Sequence, residues 1–503
     1  MTQTSSQRRS AFLVILIAIV LHLSLLWLPG ISQEWVFADG AKYFETHDPI
    51  LLKHYFLMQA NTLGMPFLVS VLHRLLPFLD QNAVMRLLST SSFLLLGYSL
   101  LKLYSFLELD YNPALLLAVV FLNPVIWTFG GRGTADLFPA ALTLFAITLS
   151  WQAESSPLRL AIAIAAYGIA ITLKYHAALL LPLIGLESLT RPGANIRKAS
   201  LRYIFIVALI LVIPVAYIIV AKQLYGFWFL PPALRARHGA NLNLVSIVMN
   251  MIGYAGYVSL LLFPYSLCTV WERVNAARKA LTTLAVTVVI FITGFYGVRL
   301  GGEMRFGPLD AYIDPRIYNG AFLVFTAIFV LLSKDGLLKT TTVSARRYIV
   351  CMVLGVFLFI AILSFTRPAQ RYLLFVLPLA YFFVMNKSRS GKLITGTTIL
   401  LYGVLSLFIT LNQVASGTVA QNMVQQITAR GLLDDTEAGD LMGNAGNRFP
   451  DQVNGAARKR YTVIAGNSPK AIFTVESHPA PLVHKVLSLV RYGDAPVTTN
   501  GSR

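Results

Sequence analysis

Apolar runs long enough to cross a bilayer recur along the whole chain, and they leave few architectures open. A helix needs about 20 apolar residues to span a hydrocarbon core of about 30 Å. Within lipid, only helices and closed barrels satisfy all their backbone hydrogen bonds. The first run, Ala11–Leu28, follows the basic amino terminus MTQTSSQRRS. It is long for the apolar core of a signal peptide and has no clear small-residue cleavage site, so it reads as a retained helix. Further runs at Val84–Leu107, Ala114–Thr128, Leu137–Trp151, Leu158–Leu173, Ala177–Leu189 and Tyr203–Ala221 continue the pattern. Those at Val245–Leu267, Leu281–Tyr296, Ala321–Leu332, Ile349–Phe365, Tyr372–Met385 and Leu393–Leu411 bring the total to thirteen. The expected fold class is an all-α polytopic membrane bundle of about thirteen spans. Only 13% of the 503 residues are charged, about half the share in a soluble domain.

The net charge of +19 sorts by loop. Residues 191–202 (RPGANIRKASLR), 271–279 (WERVNAARK), 333–347 (SKDGLLKTTTVSARR) and 386–392 (NKSRSGK) are short and rich in Lys or Arg. Such loops prefer the cytoplasm, which places them beside the amino terminus and the carboxyl terminus outside. This register holds only if Leu63–Leu79, broken by Pro66, the His73-Arg74 pair and Pro77, is a juxtamembrane or re-entrant helix. A full span there inverts all four loops. The outer face then comprises 29–83, 129–136, 174–176, 222–244, 297–320, 366–371 and the tail. The chain divides into a membrane domain, 1–412, with a first outer loop at 29–83, and an extracytoplasmic tail, 413–503. Apolar runs at Tyr461–Ala465 and Ala471–Val475 give the tail β content, and with it an α+β character.

Polar chemistry collects in the outer segments. The first outer loop carries Asp39, Glu45 and Asp48 among Trp35, Tyr43, His54 and Tyr55. Asp39, just beyond a helix exit, is placed to take a proton from an acceptor hydroxyl. FGGRGTAD (129–136) offers glycines that admit close backbone approach. It also holds Arg132, a guanidinium that wants an anionic partner, and Asp136, which stands where an N-cap belongs. Lys174 sits in a very short turn between two apolar helices. A lysine there can simply snorkel to the headgroups, but this turn holds it near the outer surface, where a lipid phosphate lies. Arg367 and Arg371 oppose the positive-inside preference and can bracket a phosphate, or bind anionic headgroups instead. Loop 298–319 (with Arg299, Glu303, Arg305, Asp310, Asp314 and Arg316) and the cluster Arg235, Arg237, His238 add outward charge without a distinctive spacing. No nucleotide-type glycine loop is present. Cys268 and Cys351 imply neither a disulfide framework nor a metal site.

Taken in order, the outer-loop Asp39, the segment from Pro66 to HRLLPF, a helix beginning near Arg86, Asp136, LKYHAALLLPL and RYLLFVLPLA resemble a known family. It is the GT-C membrane glycosyltransferases, in particular the aminoarabinose-transferase and protein O-mannosyltransferase branch. The resemblance covers roughly residues 10 to 410. The chain has Asp39-Gly40 where the family often pairs Asp with Glu. It reads Asn61-Thr62-Leu63-Gly64-Met65-Pro66 where aminoarabinose transferases carry a charged pair before the proline. The resemblance implies a polyprenyl-phosphate-linked sugar donor and an extracytoplasmic acceptor (lipid A, glycan or protein). It implies a site on the outer face of a bacterial inner membrane, with Asp39 and Asp136 as its catalytic carboxylates. Arg132, Lys174, Arg371 and Arg367 would then hold the donor phosphate. A divalent cation held by Asp136 is left open. An O-antigen polymerase or ligase is the enzyme alternative, and it would not require the Asp39–Asp136 pair. A flippase for lipid-linked sugars is the alternative of another class, and it would place charges at mid-bilayer.

Overall fold

The computed structural model describes residues 5–24, 41–46 except 43, 64–107, 112–131, 134–152, 156–189, 195–225, 244–268, 322–332, 343–365, 369–385, 391–437, 460–480 and 483–491. The helices in chain order are α1 (Ser5–Ser24), α2 (Gly64–Leu75), α3 (Gln81–Phe106), α4 (Pro113–Leu122), α5 (Pro124–Gly131), α6 (Leu137–Gln152) and α7 (Pro157–Leu173). There follow α8 (Pro182–Leu189), α9 (Ile196–Tyr225), α10 (Leu244–Leu261), α11 (Phe322–Leu332), α12 (Val343–Leu363), α13 (Leu377–Met385) and α14 (Gly391–Ala429). Among the described residues four helices are long and apolar enough to cross a membrane, or five if the bent pair α4–α5 is one span. The protein is therefore a membrane-spanning helical bundle, and the described spans fall short of thirteen. The run expected at Leu281–Tyr296 lies outside the described residues. α9 has the exposed apolar side expected against lipid: only 22% of its span is buried inside the protein, against 67% for α3. Ile204, Phe205 and Val212 on α9 are each 60% exposed or more.

The run read as one helix, Ala114–Thr128, is instead broken. Pro124 disfavours helical backbone at the residue before it, and Asn123 adopts φ −54°, ψ 127°. The two halves meet at 68°. The break lies in the core, and the Asn123 side chain caps the half that follows and bonds across to two other helices. Its Oδ1 accepts from the Val125 N–H at 3.1 Å, and its Nδ2 donates to the Leu261 carbonyl at 2.9 Å and to the Tyr381 hydroxyl at 2.8 Å. The Tyr402 hydroxyl donates to the same Leu261 carbonyl. One side chain thereby ties α4, α5, α10, α13 and α14 together.

Contacts order the helices along the bundle. At one end the His22 ring lies 3.3 Å from the Trp127 carbonyl oxygen, and the Ser89 hydroxyl donates to the Thr134 carbonyl at 3.3 Å. This end therefore gathers the carboxyl ends of α1 and α5 and the amino ends of α3 and α6. At the other end Phe106 stacks on Tyr348 with centroids 4.9 Å apart, and Trp151 lies 5.2 Å from Tyr348. The amino end of α12, with Arg347, falls here. α14 runs alongside α4 and α5, with Ser406 donating to the Leu122 carbonyl at 2.9 Å and the Trp127 indole N–H donating to Thr410 at 2.9 Å. It starts at the Tyr348 end and leaves at the Asp136 end. α2 has 12 residues, about 18 Å at 1.5 Å per residue, too short for a span.

α14 is 39 residues long, about 58 Å against a hydrocarbon core of about 30 Å. It continues unbroken across 412–413, where the sequence divides into its expected domains. Beyond the bundle, Val419, Ala420, Met423, Val424 and Ile427 pack against Val463, Val475 and Leu489 of a sheet. The sheet has β1 (Thr436–Glu437), β2 (Tyr461–Ala465), β3 (Phe473–Ala480) and β4 (Val483–Arg491) in the order β1-β2-β4-β3. β1 pairs parallel to β2, and the other pairs are antiparallel. The β content expected of the tail is present, and the membrane helix itself supplies the other half of its core.

The Asn123 network predicts a specific instability. Asn123→Leu keeps the volume but leaves the Leu261 carbonyl with fewer donors and the Val125 N–H uncapped. We expect a loss of about 1–3 kcal/mol, read as a lower melting temperature in detergent. Thr398→Ala, which removes only a hydroxyl bonded back to Ile394 in its own helix, should stay near wild type.

Candidate functional site

Asp136 occupies the turn between α5 and α6. Its backbone carbonyl accepts from the Ala140 N–H at 3.3 Å, so it starts α6 as the sequence expects. Its side chain does not cap the helix. Neither carboxylate oxygen takes a backbone N–H among the described residues. Instead Oδ1 lies 2.9 Å from the Lys174 ammonium, with the Asp136 side chain 0% exposed and Lys174 13% exposed. Burial alone would push the Asp136 carboxyl up. The charges of Lys174, Arg371 and His176 and the Lys174 hydrogen bond outweigh it, and the group sits below the usual carboxylate range.

Lys174 reaches Asp136 because the chain changes conformation at that residue. The residues expected to begin a helix at Ala177 form one 3-10 turn, Tyr175–Leu180, before α8 opens at Pro182. Lys174 stands between α7 and that turn in extended backbone, φ −154°, ψ 114°. Its N–H donates to the Ala170 carbonyl at 2.9 Å and its carbonyl accepts from Ala177 at 3.0 Å. Both neighbouring helices are thus terminated properly while the side chain projects sideways. A second turn repeats the device. Ala369 is extended, Gln370–Phe375 is a 3-10 turn, and α13 follows with Pro378 as its second residue. In both turns a cation directly precedes a tyrosine, Lys174-Tyr175 and Arg371-Tyr372.

The two turns meet face to face. The His176 ring stacks on Tyr372 at 4.0 Å and 21°. Lys174 Nζ lies 5.7 Å and the Arg371 guanidinium 5.6 Å from the centre of the same tyrosine ring, inside cation–π range. A buried carboxylate is therefore matched by two cations around one aromatic ring. Lys174 and Arg371 together carry one positive charge more than Asp136 does.

α2 forms a wall beside the pair. Met65 and Val69 cluster with Val84, Met85 and Leu88 of α3 and with Ala135 and Leu173, the residues immediately before Asp136 and Lys174. Gly64 permits this approach, since a Cβ there would stand 2.5 Å from the Thr172 carbonyl oxygen. Part of the first outer loop docks on the same wall. The Gln81 amide donates to Glu45 at 2.8 Å, and Phe44 meets Phe67 with centroids 5.7 Å apart. Glu45, an ordinary loop carboxylate in the sequence, is half-buried and joined to α3.

Of the residues read as a site, the structure joins Asp136 to Lys174 and brings Arg371 into electrostatic reach. Asp39, Arg132 and Arg367 lie outside the described residues, as do Asp48, the charged loop 298–319 and the Arg235–His238 cluster. The glycines of FGGRGTAD serve packing where they are described. A Cβ at Gly130 would stand 2.6 Å from the Phe93 ring and 3.2 Å from His22. His176 and Tyr372 escaped the sequence reading because an aromatic beside a cation is unremarkable until the two turns are brought together. Arg86 has a visible signal, a cation inside an apolar run. It is 4% exposed on α3, one turn before Ser89.

No protein-family model matches the chain, and no curated protein matches it. A crystal structure of ArnT from Cupriavidus metallidurans in the apo state is similar at 16% identity and a TM-score of 0.40, covering 96% of this chain and 98% of that one.

The ion pair predicts strong coupling. Lys174→Met strands a buried carboxylate and Asp136→Asn strands an ammonium. Each should cost about 3–5 kcal/mol, while the double variant recovers much of the loss in a thermal double-mutant cycle. The depressed Asp136 pKa fixes the sign with pH. The pair's contribution is complete above the ordinary carboxylate value of about 3.9 and is lost as pH falls through the folded value. The melting difference between wild type and the double variant should therefore stay flat from pH 8 to about 4 and shrink below it.

Proposed function

We propose that the chain is a membrane glycosyltransferase of the GT-C type, moving a sugar from a polyprenyl-phosphate carrier to an extracytoplasmic acceptor. The observation that carries this reading is the buried Asp136 set between Lys174 and Arg371 at one end of an apolar bundle. A leaving lipid phosphate needs fixed positive charge in a water-poor site, and the donor's lipid tail needs a membrane-embedded approach. This end offers both. α2, with Ala41, Phe44 and Glu45 docked beside it, walls the pair on one side.

The sidedness is supported by charge. The basic segments 191–202, 333–347 and 386–392 precede α9, α12 and α14, whose amino ends lie away from Asp136, as does the start of α1. Basic segments prefer the cytoplasm, so Asp136, Lys174, the sheet and the carboxyl terminus are assigned to the extracytoplasmic face. Residues 1–412 form the catalytic membrane domain and 413–503 the outer one, joined by α14.

In the proposed reaction Asp39 takes the proton of the acceptor hydroxyl as that oxygen attacks the anomeric carbon. The bond from the anomeric carbon to the phosphate oxygen breaks, and Arg371, Lys174, Arg132 and Arg367 stabilise the released phosphate. Asp136 holds Lys174 in place and sets the charge of the group. Lys174 thus serves the carboxylate and the phosphate together.

The test is transfer from defined polyprenyl-phosphate sugars by the purified protein, alongside mass spectrometry of lipid A and surface glycans in a deletion strain. Asp39→Asn should lower turnover by about 10²–10⁴-fold, and Arg371→Ala should lower it by about 10²-fold. A normally expressed Asp39→Asn protein working at the wild-type rate would refute the base assignment. A deletion strain with every glycan and lipid-linked intermediate unchanged would refute the enzyme.

A further inference from the structure

We propose that the β3–β4 hairpin of the outer sheet carries a binding site for a divalent transition-metal ion, formed by Glu476, His478 and His484. Glu476 and His478 are two apart on β3 and so share one face of the sheet. The register pairs Glu476 with Val486 and Ser477 with Lys485 before a shift that ends at Ala480 with Val483. That register carries His484 across from His478. The buried Val475 and Leu489 pack on α14, and all three polar residues are exposed, Glu476 and His478 projecting from the strand face opposite Val475. They can bind an ion without disturbing the packing of the sheet.

The donor atoms already lie at the spacing of metal ligands. His478 Nε2 lies 3.2 Å and His484 Nε2 3.3 Å from the same oxygen, Glu476 Oε2. A tetrahedral zinc ion with bonds of about 2.0–2.1 Å separates its ligand atoms by about 3.3 Å. The three donor atoms lie within 4.8 Å of one another; the two imidazoles stack at 3.8 Å and 18°, and a rotation of one exposed ring about its side-chain torsions brings both nitrogen lone pairs onto one ion. Two imidazoles and one carboxylate select a borderline ion such as Zn²⁺ over Ca²⁺ or Mg²⁺, which prefer all-oxygen ligands. The fourth position is left to water. Bound there, the ion closes the edge strand β3 onto β4.

The experiment is equilibrium dialysis of the full-length, untagged protein in detergent against Zn²⁺, with metal content measured by mass spectrometry. Wild type should take up a zinc equivalent that excess Mg²⁺ does not displace. His478→Ala and His484→Ala should each weaken that uptake at least about tenfold, while Lys485→Ala on the same hairpin should match wild type. Hydrogen exchange across 473–491 supplies a second readout on the unmutated protein and should slow when Zn²⁺ is added. Undiminished zinc uptake by both histidine variants, or no uptake and no change in exchange in wild type, overturns the site. Neither result bears on Asp39 or Asp136, so this proposal and the transferase reading fail separately.

Discussion

A carboxylate without exposed surface has to be neutralised where it stands, and the end of the bundle around Asp136 is built to that requirement. Lys174 reaches it at 2.9 Å because the backbone turns extended at that residue instead of continuing α7 into α8. The 3-10 turn that follows carries His176 onto Tyr372, and Tyr372 brings Arg371 with it. α2 seals the side of the pair through Met65 and Val69, closing on Ala135 and Leu173. Each element adjoins the next through the pair or through the residues beside it. An unpartnered charge at such a site costs several kcal/mol, more than most single contacts supply.

The same logic operates without charge in the middle of the bundle. Pro124 breaks a run that would otherwise be one helix, and the freed backbone groups cannot turn to water. The Asn123 side chain takes the Val125 N–H and the Ser406 hydroxyl takes the Leu122 carbonyl in water's place, while Asn123 and the Tyr402 hydroxyl join on the Leu261 carbonyl at the end of α10. The bend redirects α5 toward the Asp136 turn. A polar network in the core thus aims the segment that carries the buried carboxylate.

α14 links membrane and outer parts more firmly than a linker does. Its first half packs in the bundle through Ser406 and Thr410, and its second half supplies one side of the sheet's core. The sheet stands at the same end of the bundle as the Asp136–Lys174 pair because the helix carries it there. A sheet held this way stays beside the end of the bundle that carries the pair.

The places of most apolar helices were legible from residue order alone, because the bilayer's demand for satisfied backbone acts on each segment by itself; their bounds were not, since one run breaks at Asn123 and another continues from Leu411 to Ala429. The short strand Tyr461–Ala465 was legible for a similar local reason. So was the special character of Lys174 and Arg371, since a cation at an apolar helix end stands out without any partner in view. What the chain order could not supply was the partnership. Asp136 carries every local mark of an N-cap, and only the approach of a residue 38 positions away turns its carboxylate outward to an ammonium. The glycines of FGGRGTAD likewise look made for a ligand until Phe93 and His22 are seen against Gly130. Where an apolar helix lies, set by local hydropathy, belongs to the sequence. Which buried charge meets which counter-charge depends on how helices pack, and that is settled only when desolvation is balanced across the whole fold.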